Sequence, residues 1–413
     1  MRETGIASIP NDGADVPPPI PYTLSQIAYT RFAVSRPMAD NVAVSPYNRK
    51  DGARLPKRIT VYDTTLRDGE QMAGISFSPA QKLRIARLLD DIGVPQIEAG
   101  FPAVSPVEMR AVRAVARAGL DAEILCLSRL KKEDIDAAQD AEADAVLLFI
   151  ATSPLHLKHK LRLDRNQVVG LVREGLDHAR SLGMKASFTP EDSTRTPMPF
   201  LRRVLAAAVE AGAWRIGLAD TLGCITPGGI GHLVRQLRPL TRTPFTLHLH
   251  NDFGLALPNA LAGLEAGADA IATTVAGFGE RSGNVPLEQL AAALKFLYGR
   301  DIGIRTEGLA PLARTVARIS RVSLPSNAPL VGTGVFTHKA GIHIAGVLAE
   351  PATYEPVPPE SVGNRRRIVL GKHSGRAAAR ALLLAAGRKA DDSSVDRLLR
   401  QAKRRSTDSI APL

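Results

Sequence analysis

His248-Leu249-His250-Asn251-Asp252 is where side chains able to do chemistry are densest in this sequence. Pro244-Phe245-Thr246-Leu247 precede it and are apolar or β-prone, so the histidines are expected to end a buried strand. Side chains two apart in a strand point to the same face. Two imidazoles on one face suit a single divalent metal ion. A hydrogen-bonded pair of core histidines would have the same spacing. What separates the two readings is whether other polar clusters end neighbouring strands.

Several do. From Arg58 onward, strand-like and helix-like segments alternate. The expected strands are Arg58 to Asp63, Gln96 to Ala99, Glu123 to Cys126, Ala145 to Ile150, Lys185 to Thr189, Trp214 to Leu218, Phe245 to His250 and Ala270 to Val275. Ser78 is placed to cap the first helix, with Pro79 in its first turn. Eight strand-helix units in roughly 240 residues predict an α/β chain folded as a (β/α)8 TIM barrel over 56–300. No G-x-G-x-x-G follows any of these strands, which argues against a doubly wound dinucleotide-binding sheet.

A barrel of this kind carries its site at the C-terminal ends of its strands. Those ends read Arg67-Asp68-Gly69-Glu70-Gln71, then Glu98, Glu191-Asp192-Ser193, Asp220-Thr221, the histidine pair, and Gly277 to Asn284. Strands one, seven and eight are neighbours in a closed barrel. Asp68, His248, His250 and Asn284 are therefore expected to converge on one ion of the Mg2+, Mn2+ or Zn2+ class. Its open positions would take a 2-oxo acid through the carboxylate and ketone oxygens. Arg67 would stabilise the alkoxide formed when the ketone is attacked. Glu98 would orient Arg67; taken singly, the two could form a structural ion pair and Asn284 could cap a helix, and it is their joint placement at strand ends that favours a site.

The flanks are different. Residues 1–55 include Pro17-Pro18-Pro19, lack periodicity, and are expected to form a flexible arm. Beyond 300 the alternation stops. Residues 301–413 are expected to form a smaller, mainly helical C-terminal subdomain. It contains the Gly- and His-rich segment Gly332 to His343 and a Pro-rich link from Pro351 to Pro359. The net charge of +12 is uneven: 301–413 holds 18 Lys or Arg against 9 Asp or Glu. No nucleic-acid-binding motif accompanies this charge, so an acidic ligand or a solvated face is expected rather than nucleic acid. No apolar run is long enough to span a membrane, and the N-terminus has no secretory pattern. Two distant cysteines, Cys126 and Cys224, suit the reducing cytoplasm and are expected to be buried.

DTTLRDGEQ, IEAGFP, LADTLG, HLHND, GFGERSGN and HKAGIH, in that order, resemble the homocitrate synthase and 2-isopropylmalate synthase family of metal-dependent barrels. The resemblance covers about residues 58–375. It implies a Claisen condensation: acetyl-CoA loses a methyl proton, the enolate attacks a 2-oxo acid, and the thioester is hydrolysed. It also implies roles. Asp68, His248 and His250 hold the metal, with Asn284 ligating or close by; Arg67 meets the ketone; Thr221 meets the acceptor's carboxylate. Gln71, Arg129, Ser187 and Thr189 are further candidates for the acceptor. The family's base assembly maps onto Glu280, His343 and Tyr354. In the family, the histidine and tyrosine come from a C-terminal subdomain that covers the partner subunit's barrel, which implies a homodimer. Ser187 stands where lysine-pathway homocitrate synthases have arginine, as in the nitrogen-fixation type; Lys339 stands where that type often has glutamate. Few residues follow Gly375, too few for the regulatory domain that 2-isopropylmalate synthases usually carry. The expected acceptor is therefore 2-oxoglutarate, with 2-oxoisovalerate and pyruvate as the alternatives.

Overall fold

Each expected strand is present in the computed structural model, which describes residues 42–48, 55–371, 374–385 and 387–404. The strands are β1 (Thr60–Asp63), β2 (Gln96–Glu98), β3 (Glu123–Arg129), β4 (Ala145–Ala151), β5 (Lys185–Glu191), β6 (Ile216–Asp220), β7 (Phe245–Leu249) and β8 (Ala270–Thr273). All pair in parallel, and β8 returns to β1 to close the barrel, with Thr60 opposite Ala270 and Asp63 opposite Thr273. A helix follows each strand. The first three are α1 (Pro79–Asp91), α2 (Pro106–Ala116) and α3 (Lys132–Asp140). Ser78 does cap α1: its side chain accepts from the Gln81 amide, and the Gln81 side chain accepts from Ser78 in return.

Period-two alternation decides what fills the barrel. Tyr62, Leu125, Ala145, Leu147 and Ala272 point inward and pack on one another. Their neighbours Val61, Ile124, Cys126, Val146 and Leu148 point outward into the helix layer. Each fully buried Leu or Ile of that layer contributes about 1.5–3 kcal/mol. Arg215, just before β6, closes the N-terminal end of the barrel. It donates to Gln96 Oε1 at 2.6 Å and lies 5.0 Å from the Tyr62 ring centre. The opposite end carries the polar strand ends.

Four strands run past their expected ends, β4 to Ala151 and β6 to Asp220 among them. β3 continues to Arg129, and β5 continues through Pro190 to Glu191. In the β4–β5 register Leu147 faces Ser187, Phe149 faces Thr189 and Ala151 faces Glu191. Glu191 therefore lies on the inward face of β5. Thr189 has room because residue 217 is glycine: a Cβ there would sit 2.0 Å from Thr189 Oγ1.

The chain divides into two compact units. One holds Arg36–Thr337 with Glu350–Arg366, and the other includes His338–Ala349 and the segment from Arg367. In the first, helix Leu309–Ser320 buries Leu309, Leu312 and Val316 in the same apolar cluster as the barrel's helix layer. In the second, helices Gly341–Ala349, Arg376–Ala385 and Asp392–Arg404 pack around Ile344, Leu382, Leu383 and Val395. Most of the expected N-terminal arm lies outside the described residues. Among the described residues no helix is long and apolar enough to cross a membrane. Cys126 is buried as expected, whereas Cys224 is exposed on the loop after β6, where its amide bonds to Asp220.

Candidate metal centre and active site

The turn after β1 is built around Thr64. Its carbonyl accepts from the amides of Arg67, Asp68 and Gly69 at 2.8–3.1 Å, and its own amide bonds to Thr273 O. Thr65 N–H donates to Asp63 Oδ1 at 2.9 Å, and Thr65 Oγ1 accepts from Val275 N at 2.8 Å. This tight turn, fastened to β8, presents Arg67 and Asp68 side by side at the barrel mouth.

Asp68, His248 and His250 meet there, each offering an atom within 4.8 Å of the others. His248 Nε2 lies 3.2 Å from both Asp68 Oδ2 and His250 Nε2, and His250 Nε2 lies 4.0 Å from Asp68 Oδ2. Two imidazole nitrogens and a carboxylate oxygen are thus aimed at one point. Among the described residues neither Nδ1 has a hydrogen-bond partner. Burial, then the adjacent His248, push His250 down to about 4, so its ring is neutral at pH 7. Burial opposes ionisation of Asp68, but Arg67, His248 and His250 offset it and hold the carboxyl well below the usual range. The donor set suits a divalent cation: a carboxylate and two imidazoles, at least one of them neutral.

Arg67 grips Glu98 with two nitrogens, Nε to Oε1 at 2.7 Å and Nη2 to Oε2 at 3.2 Å, and donates its third to Asp68 Oδ2 at 3.0 Å. Glu98 is fully buried. Burial disfavours the guanidinium, but Glu98 and Asp68 outweigh that and keep it charged. The expected ion pair of Arg67 with Glu98 is present, and it lies directly beside Asp68. Asn284 is also brought in: its Nδ2 donates to Asp68 Oδ1 at 3.0 Å, and its buried Oδ1 has no partner among the described residues. Residue 279 must be glycine for this contact. Its φ is +156°, and a Cβ would sit 2.1 Å from Asn284 Nδ2.

Behind this layer, Asp63 and Glu288 are fully buried, and burial pushes both carboxyls up to about 7. Asp63 holds Thr65, and Glu288 holds the Ala276 amide at 3.0 Å. Between them they anchor the loops that follow β1 and β8.

Ser187 is buried on the inward face of β5, and Thr189 is half-buried on the same face. Thr221 is half-buried; its Oγ1 accepts from Asp192 N at 2.9 Å, and its carbonyl accepts from Arg281 at 2.7 Å. Arg281 also binds Asp252 at 2.8 Å, tying together the loops after β6, β7 and β8. Gln71 is exposed on the turn after Asp68. Arg129 is held by Asp134 in the first turn of α3, at 2.5 and 2.9 Å. Glu280 has an exposed side chain, and its amide lies 3.4 Å from Asp68 Oδ1. Tyr354 is exposed in the first compact unit, and His343 is exposed on helix Gly341–Ala349 of the second.

One group without an expected role now has a position. Glu191 bonds Lys160 at 2.7 and 2.8 Å, and its Oε1 lies 3.5 Å from His156 Nδ1. Continuing the Ser187, Thr189 alternation two residues further would have placed Glu191 on the interior.

Two family profiles match this chain. One, described as HMGL-like, matches residues 58–316; the other, described as homocitrate synthase post-HMGL domain-like, matches 330–409. The chain is 49% identical over 361 residues to homocitrate synthase AksA of Methanopyrus kandleri, covering 87% of this chain and 91% of that protein. It is 42% identical over 350 residues to a 2-isopropylmalate synthase of Sulfurisphaera tokodaii, covering 84% of this chain and 91% of that one. A 2-isopropylmalate synthase of similar length therefore exists, and the few residues after Gly375 do not separate the two activities. Among solved structures, hydroxymethylglutaryl-CoA lyase from Pseudomonas aeruginosa has the same fold, with a TM-score of 0.60 at 21% identity over 66% of this chain and 97% of that one.

Proposed function

Because this chain belongs to the homocitrate synthase and 2-isopropylmalate synthase family of HMGL-like barrels, we propose that it condenses acetyl-CoA with 2-oxoglutarate and hydrolyses the thioester to give homocitrate and CoA. It is a condensing enzyme of the acyltransferase type. The observation that carries the reading is the convergence of Asp68, His248 and His250 beside the Arg67–Glu98 pair at the barrel mouth.

Asp68, His248 and His250 would hold a Mg2+, Mn2+ or Zn2+ ion, and rotation of the Asn284 amide would turn its unpartnered oxygen toward it. When bound, such an ion polarises the acceptor's ketone as a Lewis acid. Arg67 donates to the oxygen that becomes an alkoxide, held in position by Glu98. Thr221 binds the acceptor's near carboxylate. Gln71, Ser187 and Thr189 line its path, and Arg129 reaches it by leaving Asp134. Glu280, His343 and Tyr354 form the base that takes the acetyl-CoA methyl proton, with His343 polarised by Glu280. His343 and Tyr354 act on the barrel of a second copy, and residues 301–413 serve as lid and dimer contact. The Glu191–His156 pair is a second candidate for moving that proton.

The acceptor is tested with a panel of 2-oxoglutarate, 2-oxoisovalerate, 2-oxobutyrate and pyruvate, following thiol release from acetyl-CoA. The expected kcat/KM is highest for 2-oxoglutarate, by at least about tenfold. A maximum for 2-oxoisovalerate reassigns the chain to 2-isopropylmalate synthesis, and one for pyruvate to citramalate synthesis. The base assembly is tested with His343→Ala, expected to lower kcat by about 10²–10⁴. Mixing this variant with the equally inactive Asp68→Ala should restore activity through hybrid dimers whose intact barrel meets an intact lid. If His343→Ala stays active while Glu191→Gln does not, the base is the Glu191–His156 pair. If mixing restores nothing, the lid does not work across subunits.

A further inference from the structure

We propose that Lys82 is a positioning residue for the catalytic arginine and the metal carboxylate. This rests on the roles just given to Arg67 and Asp68. Lys82 lies on α1, yet its side chain is fully buried. Its ammonium donates to Glu108 on α2 at 2.6 Å, lies 2.8 Å from Glu70 Oε2, and reaches the Ala99 carbonyl at 3.3 Å.

Each partner sits behind one strand end of the site. Glu70 is two residues past Asp68, and its other oxygen accepts from Phe77 N at 2.6 Å. Ala99 directly follows Glu98. Glu108 also accepts from Phe101 N at 3.0 Å, fixing the same loop from the other side. The ends of β1 and β2 are therefore tied twice. On the barrel side the tie is Arg67, spanning Asp68 and Glu98; on the helix side it is Lys82, spanning Glu70, Ala99 and Glu108. An apolar residue at position 82 would dock α1 without the cost of burying charge. What the ammonium adds is a fixed separation between the two loops. That separation sets where Arg67 and Asp68 stand relative to His248 and His250.

The test uses the full-length enzyme and Mn2+ as the probe metal. Lys82→Met is compared with wild type and Lys82→Arg for Mn2+ affinity by calorimetry, for kcat, and for KM of each substrate. Loss of the ammonium is expected to weaken Mn2+ binding and kcat by about 10–100-fold, as for other groups that orient metal ligands, with the KM for acetyl-CoA unchanged. Lys82→Arg should recover part of both. Should Lys82→Met fail to fold, Glu70→Gln and Glu108→Gln each cut one arm and keep the ammonium. Glu70→Gln is expected to weaken Mn2+ binding more, since its arm holds the Asp68 loop. Folded variants with a lowered Tm but wild-type Mn2+ affinity and kcat overturn the proposal, because a merely structural lysine gives that pattern. Mn2+ affinity does not depend on the acceptor. If wild type binds Mn2+ but condenses no 2-oxo acid, the functional reading fails, and Lys82 is then judged on metal affinity alone.

Discussion

Replacing His250 with alanine is expected to lower kcat on the order of 10³-fold, since an ion that polarises the ketone supplies several kcal/mol and each 1.4 kcal/mol is a factor of ten. The three donor atoms close on one point, and removing one leaves a carboxylate and a single imidazole. Asp68→Ala should be worse, because it also takes away the partner that Arg67 and Asn284 share. A chelator should abolish turnover of the wild type, and adding back a divalent ion should restore it. Calorimetric titration separates the two effects of His250→Ala: weaker metal binding, and residual turnover at saturating metal. Full activity in a preparation verified as metal-free would falsify the assignment.

Arg67→Ala is expected to cost about 10²–10³ in kcat, the usual loss when a preorganised donor to a developing oxyanion is removed. The KM for acetyl-CoA should stay near wild type, because Arg67 acts on the other substrate. Arg67→Lys should rescue little. A lysine keeps the charge but cannot grip Glu98 with two nitrogens while reaching Asp68 with a third. The alanine variant also leaves Glu98 buried without its cation, so its thermal stability should fall. A variant that loses stability but retains kcat within tenfold would reduce Arg67 to a structural partner of Glu98.

Much of this could be read in the sequence because two physical periodicities are strong. The alternation of Phe245 to His250 gave a strand and put both histidines on one face, where the structure has them. The eightfold alternation gave the barrel and its closure, and closure alone brings Asp68 beside His248. Less legible was anything set by where a strand stops. The strand expected over Lys185 to Thr189 runs on through Pro190, and this is what places Glu191 on the inward face. Lys82 was hidden for another reason. A lysine beside Leu83 in an amphipathic helix reads as solvent-facing, yet Lys82 is buried and Leu83 only half so. Its two carboxylate partners come from other elements, 26 residues ahead in one case, and no local pattern announces them. Arg129 is legible by position, at a strand end, but its ion pair with Asp134, five residues on, is not.

The β8-to-β1 seam gives the centre an order of assembly. The bonds across it join residues far apart in the chain: Thr65 with Val275 and Asp63 with Thr273 are 210 residues apart, and Asp68 with Asn284 are 216. In a flexible chain, closing a loop of that length would cost about 5 kcal/mol in chain entropy, so the seam contacts form after the strands between them have paired. During synthesis Asp68 therefore emerges early and waits for His248, His250 and Asn284. Until the eighth strand docks, the carboxylate and the imidazoles belong to separate parts of an open sheet. The three candidate ligands therefore come together only when the barrel closes.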